Sequence, residues 1–108
     1  MTYGSRTRAL SALADPTRRE IFERIAEHPR AVGELAAQLP VSRPAVSQHL
    51  KVLKQARLVQ DRAEGTRRVY ELDPAGLGEL RDYLDRFWNR ALASFKEAVE
   101  NSNPQEGQ

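Results

Sequence analysis

The sequence has no cysteine among its 108 residues, which excludes disulfides, thiolate metal sites and thiol redox switching and points to the cytoplasm. No apolar run approaches the roughly 20 residues of a membrane span, and Met1 to Ala14 lacks the apolar block of a secretory signal, so no membrane association is expected. Aromatic residues make up only 6% of the chain. Internal repeats and low-complexity stretches are absent. No Gly-rich phosphate loop follows a predicted strand, and the two histidines, His28 and His49, fall on different predicted helices. No nucleophile, base and orienting acid can be assembled from such a set, so catalysis is not expected and no cofactor is implied.

What is present suits one soluble globular domain. Hydrophobic residues make up 40% and charged residues 30%, enough for a single core and too little chain for a second. The domain is expected over residues 1–100, with 101–108 a polar, disordered tail. The net charge of +2 conceals an uneven distribution. Met1 to Val41 carries six basic and five acidic residues, Ser42 to Leu72 seven and three, and Asp73 to Gln108 four and seven. The middle third is therefore the basic one, and a basic patch attracts a phosphate backbone through counterion release whatever the total charge.

Periodicity divides the chain into helix, helix, helix, helix, hairpin and helix. A short first helix is expected over Arg8 to Ala14. Asp15 then reads as an N-cap and Pro16 as the first residue of a second helix, whose stripe of Ile21, Phe22, Ile25 and Ala26 ends near His28-Pro29. A third helix, about Ala31 to Leu39, turns Val32, Leu35, Ala36 and Leu39 inward. Ser42 caps a fourth almost at once, and two helices joined so closely form a helix-turn-helix. The β-prone pairs Leu58-Val59 and Val69-Tyr70 flank Glu64-Gly65-Thr66 and predict a two-stranded hairpin, the wing. Asp73-Pro74 starts a last helix that runs to about Val99. The fold class is thus mainly α with a small β-hairpin, a winged helix-turn-helix in the order α-α-α-α-β-β-α.

On a helical wheel the fourth helix gathers Val46, Leu50 and Leu53 on one side. The opposite arc holds Arg43, Pro44, Ser47, Gln48, Lys51, Lys54 and Gln55. Gln can pair with adenine, Ser with several bases, and Arg or Lys with guanine or phosphate, which is what a major groove requires of a reading helix. A plain solvated face is the alternative. His49 sits on the apolar flank, where packing or a phosphate contact suits it better than base readout. In the hairpin, Arg62, Thr66, Arg67 and Arg68 surround the turn, where long cationic side chains could reach backbone phosphates or a minor groove. An edge charged against aggregation is the other reading. The candidate DNA-binding set is Ser42, Arg43, Pro44, Ser47, Gln48, His49, Lys51, Lys54, Arg62, Thr66, Arg67 and Arg68.

Four blocks occur together and in order: Leu13-Ala14-Asp15-Pro16-Thr17-Arg18-Arg19, Val32-Gly33-Glu34-Leu35-Ala36, Ser42 to Leu50, and Glu64 to Tyr70. In these the chain, over about Leu10 to Leu72, resembles the ArsR family of bacterial repressors. The resemblance implies a homodimer that blocks transcription at a palindromic operator, with the fourth helix in the major groove of double-stranded DNA and the hairpin beside it. Many members sense metals through Cys, His and Asp ligands. This chain departs from that pattern: the last helix has Asp82 and Asp85 but no histidine, and two carboxylates make a poor zinc or nickel site. The expected type is cysteine-free and does not sense metal.

The last helix carries more apolar residues than one packed face requires. Leu77, Leu80, Tyr83, Leu84, Phe87, Trp88, Ala91, Leu92, Phe95 and Val99 span roughly 180° of the wheel, where a surface helix needs little more than 100°. A second buried face, against a partner copy, is the expectation, and its aromatic content suits an interface core. The candidate dimer set is Leu10, Leu13, Tyr83, Leu84, Phe87, Trp88, Ala91, Leu92 and Phe95. Two other functions fit the same features. One is a sensor that binds a small organic inducer at the dimer interface, near Phe87 and Trp88; the other is a winged helix that binds an acidic protein.

Overall fold

Two residue pairs, Asp15-Pro16 and Ser42-Arg43, set where the central helices begin, and their caps are formed as expected. A computed structural model of the chain describes residues 2–106, with the side chains of residues 7–102. Its elements are α1 (Thr2–Ala14), α2 (Pro16–Glu27), β1 (Arg30–Ala31), α3 (Val32–Gln38), α4 (Arg43–Gln55), β2 (Val59–Glu64), β3 (Arg67–Leu72) and α5 (Pro74–Glu106). The Asp15 carboxylate accepts the Arg18 N–H at 2.9 Å, and Pro16 occupies the first turn of α2, where its missing N–H has no partner to lose. Ser42 Oγ accepts the Ala45 N–H at 3.3 Å and caps α4 in the same way.

The core lies where α2, α3, α4 and the start of β2 meet. Ile21, Ile25, Leu35, Val46, Leu50, Leu53, Leu58 and Val59 are all but completely buried. Ala9 and Ala12 of α1 and Leu80 of α5 close its edge. Val46, Leu50 and Leu53 recur at four and three residues along α4, so one stripe of that helix is fixed inward. Ala26, read into the stripe of α2, is instead exposed.

The sheet has three strands in the order β1-β3-β2, all antiparallel. β1 pairs Arg30 with Tyr70 and Ala31 with Val69. The hairpin runs in register from Val59 opposite Leu72 to Glu64 opposite Arg67. Gly65 takes φ +65° at the first turn position, the positive φ that a two-residue hairpin of the II′ kind requires there. β1 was not foreseen, because two residues carry no periodicity. Its Arg30 is buried, and its guanidinium donates to the Arg24 carbonyl at 3.1 Å, Gln38 Oε1 at 3.2 Å and Glu27 Oε1 at 2.8 Å.

The helix ends differ from the expected ones at three places. α1 begins at Thr2 and not near Arg8, α3 ends at Gln38, and α5 continues to Glu106, past the end expected near Val99 and through the first part of the expected tail. Gly107 and Gln108 lie outside the described residues. α4 closes with a pair of bonds, Leu58 N–H to the Leu53 carbonyl and Arg57 N–H to the Lys54 carbonyl, each 3.0 Å. Such a Schellman ending needs a left-handed residue, and here Arg57 supplies it at φ +63°. The Arg57 guanidinium then grips Glu79 of α5 at 2.8 and 2.9 Å.

Gly76 sits directly against this ending. A Cβ there would lie 1.7 Å from the Arg57 carbonyl oxygen, an overlap with backbone that no side-chain rotation relieves. Gly76→Ala should therefore destabilise the fold by about 1–3 kcal/mol or more, read as a lower midpoint in urea unfolding. A midpoint equal to that of the parent would mean that α5 does not press on the end of α4.

Candidate nucleic-acid interface

Burial of Val46, Leu50 and Leu53 turns the other side of α4 to solvent. Ser42, Arg43, Pro44, Ser47, Gln48, Lys51, Lys54 and Gln55 are all exposed. His49 is half-buried, and the Asp15 carboxyl is held below its usual range chiefly by the Arg18 backbone hydrogen bond. Short hydroxyl and amide side chains thus occupy the first two turns of α4, where a helix entering a groove meets base edges.

The wing stands beside this arc, and its cations are less free than the sequence implied. Arg62 donates to Glu71 at 3.0 Å through Nε and to Glu64 at 2.7 Å through Nη1. Arg67 donates to Glu34 of α3 at 2.9 Å. Arg68 Nε lies 3.4 Å from Asp61 Oδ2, and Lys54 Nζ lies 2.7 Å from Asp61 Oδ1. Lys54 is thus bound to the wing through one of its donors. Lys51 has no carboxylate partner among the described residues and keeps all its donors for a phosphate. Thr66 is exposed in the turn.

Sequence reading missed the four carboxylates that hold this surface. Glu71 and Glu64 could have been found from the hairpin register, since Gln60 opposes Glu71 and residues two apart on a strand share a face. Glu34 and Asp61 carried no such signal, because their partners come from other elements. Hydrogen bonds hold Glu34, Asp61 and Glu71 below their usual pKa values: from the Ala31 backbone to Glu34, from Lys54 to Asp61, and from Arg62 to Glu71. Glu64 and Glu71 in turn raise the pKa of Arg62. The ion pairs are accordingly intact at neutral pH and are lost only as pH falls into and below the carboxylate range.

A cleft of about 440 Å³ opens between the start of α3, the first turn of α4 and the wing tip. Arg43, Thr66, Arg67 and Arg68 line it together with Glu34. A hollow of about 560 Å³ follows the seam between α1 and the end of α4, lined by Thr7, Arg8, Ser11 and Gln55 among others; Phe87 and Trp88, expected near any inducer, do not line it. Among the described residues no three His, Cys, Asp or Glu side chains gather as a metal site, and no helix is long and apolar enough to cross a membrane.

The second candidate set lies at the far end. Leu10, Leu84, Phe87, Trp88, Ala91, Leu92 and Phe95 are exposed, whereas Leu13 and Tyr83 are half-buried against their own core. From Leu84 to Ser102 every side chain of α5 is exposed, Trp88 to 60% and Phe95 to 68%. The helix projects from the body, so the molecule measures 70 × 30 × 21 Å with a radius of gyration of 19.1 Å. A compact domain of this length would have about 13 Å.

Residues 15–61 match the family described as bacterial regulatory protein, arsR family. The chain is 66% identical over 100 residues to the HTH-type transcriptional regulator Rv2034 of Mycobacterium tuberculosis, covering 93% of this chain and 94% of that one. It is 32% identical to the transcriptional repressor SdpR of Bacillus subtilis, over 73% of this chain and 88% of the other. Its fold is similar to the solution structure of a homodimeric winged helix-turn-helix DNA-binding domain from Mycobacterium bovis, with a TM-score of 0.66, 28% identity and 81% of each chain covered. With its buried α4 stripe, its winged hairpin and this degree of identity, the chain belongs to the ArsR family and is a winged helix-turn-helix transcriptional regulator.

Proposed function

We propose that the chain represses transcription as a homodimer that binds a palindromic operator in double-stranded DNA in the cytoplasm. The observation that carries this reading is the division of α4: Val46, Leu50 and Leu53 are fully buried while Ser47, Gln48 and Lys51 are exposed. In this reading α4 enters the major groove, Ser47 and Gln48 meet base edges, and Arg43 and Lys51 meet phosphate or guanine. The wing arginines, held by their carboxylates, lie against the flanking backbone. A protein so placed occludes the promoter and needs no catalytic group.

Pairing of two copies is supported by α5. Leu84, Phe87, Trp88, Leu92 and Phe95 are exposed on a projecting helix, with Leu10 of α1 exposed as well. Aromatic side chains of this size each bury some 150–250 Å² when covered, and a second copy supplies a matching surface by two-fold symmetry. The Mycobacterium bovis domain of similar fold is homodimeric. Two reading heads related by such an axis meet half-sites about 34–36 Å apart, one turn of the duplex.

Gln48→Ala should cost about 1–3 kcal/mol on the duplex recovered by selection from a random pool and far less on a scrambled duplex. Equal losses on both would remove Gln48 from base readout. Lys51→Ala should weaken both duplexes alike and lower the salt slope of binding by about one; an unchanged slope would contradict a phosphate contact. Trp88→Ala should shift the chain toward monomer by about tenfold or more in the dimerisation constant, with DNA affinity falling alongside. Sedimentation showing an unaltered dimer would take Trp88 out of the interface.

A further inference from the structure

Among the described residues of the proposed DNA face, Asp61 is the carboxylate that cationic side chains from two separate elements share. It lies in β2, yet Oδ1 is 2.7 Å from Lys54 Nζ in the last turn of α4 and Oδ2 is 3.4 Å from Arg68 Nε in β3. Its side chain is only 13% exposed, while those of Lys54 and Arg68 are 56% and 57% exposed. The acceptor is sheltered and the donors stand outside it. In the hairpin register Asp61 opposes Tyr70 and Arg68 opposes Ala63, so Asp61 and Arg68 are diagonal neighbours on one face, within reach of a guanidinium.

We infer that Asp61 is a positioning residue that sets the spacing between the reading helix and the wing, and so governs discrimination among DNA sequences without touching DNA. The inference rests on the proposed DNA-binding function. Lys54 uses one of its three donors on Asp61, and Arg68 uses Nε, leaving its terminal nitrogens for phosphate. Both cations can therefore stay on Asp61 while they meet the backbone. Their relative position is fixed before binding, so less side-chain freedom is lost when the two grip phosphates flanking one site. The Lys54 hydrogen bond, the largest effect on the Asp61 pKa, lowers it and keeps the carboxylate ionised at neutral pH.

Two effects of removing this charge are separable. Without the carboxylate the DNA face is one charge more positive, which strengthens binding to any duplex. Without the shared anchor, α4 and the wing no longer hold one spacing, which weakens the advantage of the right sequence. The fold itself is held elsewhere, through Leu58, Val59 and Val69.

The test measures affinity for the duplex selected from a random pool and for a scrambled duplex of equal length, each across a range of salt. Asp61→Asn is expected to bind the scrambled duplex more tightly and with a steeper salt slope, while the ratio of selected to scrambled affinity falls about tenfold or more. An unchanged ratio, with both affinities raised equally or neither altered, would overturn the inference. If Asp61→Asn lost its thermal unfolding transition, Lys54→Gln would break the same link from the other side, and the same fall in ratio is expected of it; an unchanged ratio there would also overturn the inference. Parent protein with no preference between the duplexes would instead remove the DNA-binding function on which the inference stands.

Discussion

The whole arrangement depends on how α4 is held. Three side chains, Val46, Leu50 and Leu53, are completely buried against α2, α3 and the root of β2, and fully burying each contributes roughly 1.5–3 kcal/mol. A helix fixed along one stripe can neither rotate nor slide, so its opposite stripe is presented at one angle. The Ser42 cap fixes where that presentation begins, and the left-handed Arg57 fixes where it ends. What α4 offers to solvent is therefore a rigid row of small polar groups followed by cations.

Around this row the charges are ordered rather than merely plentiful. Every wing arginine named above has a carboxylate partner, and Lys54 shares one with Arg68. Exposed ion pairs of this kind add little to folding stability. Their consequence is geometric, because a cation held at one end searches fewer positions than a free one. They also reduce the bare positive charge of the face, which tempers attraction to arbitrary sequence while leaving donors available. At the same time Gly76 lets α5 pack onto the end of α4 through Arg57 and Glu79. The reading helix and the projecting helix are thereby linked through Arg57, the residue that closes the end of α4.

Much of this could be seen in the residues themselves. Asp15-Pro16 and Ser42 announced two helix starts with a hydrogen-bonding reason, and the spacing of Val46, Leu50 and Leu53 gave the inward stripe. Gly65 announced the hairpin. The missing pieces share one cause, which is that they are long-range. β1 exists only because Arg30 and Ala31 find Tyr70 and Val69 across the sheet. Asp61 and Glu34 matter only because the fold brings Lys54, Arg68 and Arg67 to them. The apolar breadth of the last helix was evident, but not that almost all of it beyond Tyr83 projects clear of the domain.

The central claim is that the polar stripe of α4 and the wing tip form one surface that receives a duplex. Chemical-shift mapping on isotope-labelled protein, titrated with duplex DNA at low salt, tests it most directly. The account predicts that the largest amide shifts fall within residues 42–51 and 62–68, with α2 little affected. Shifts gathered on the face of α2 that carries Glu20, Glu23 and Glu27, or none at all, would contradict it.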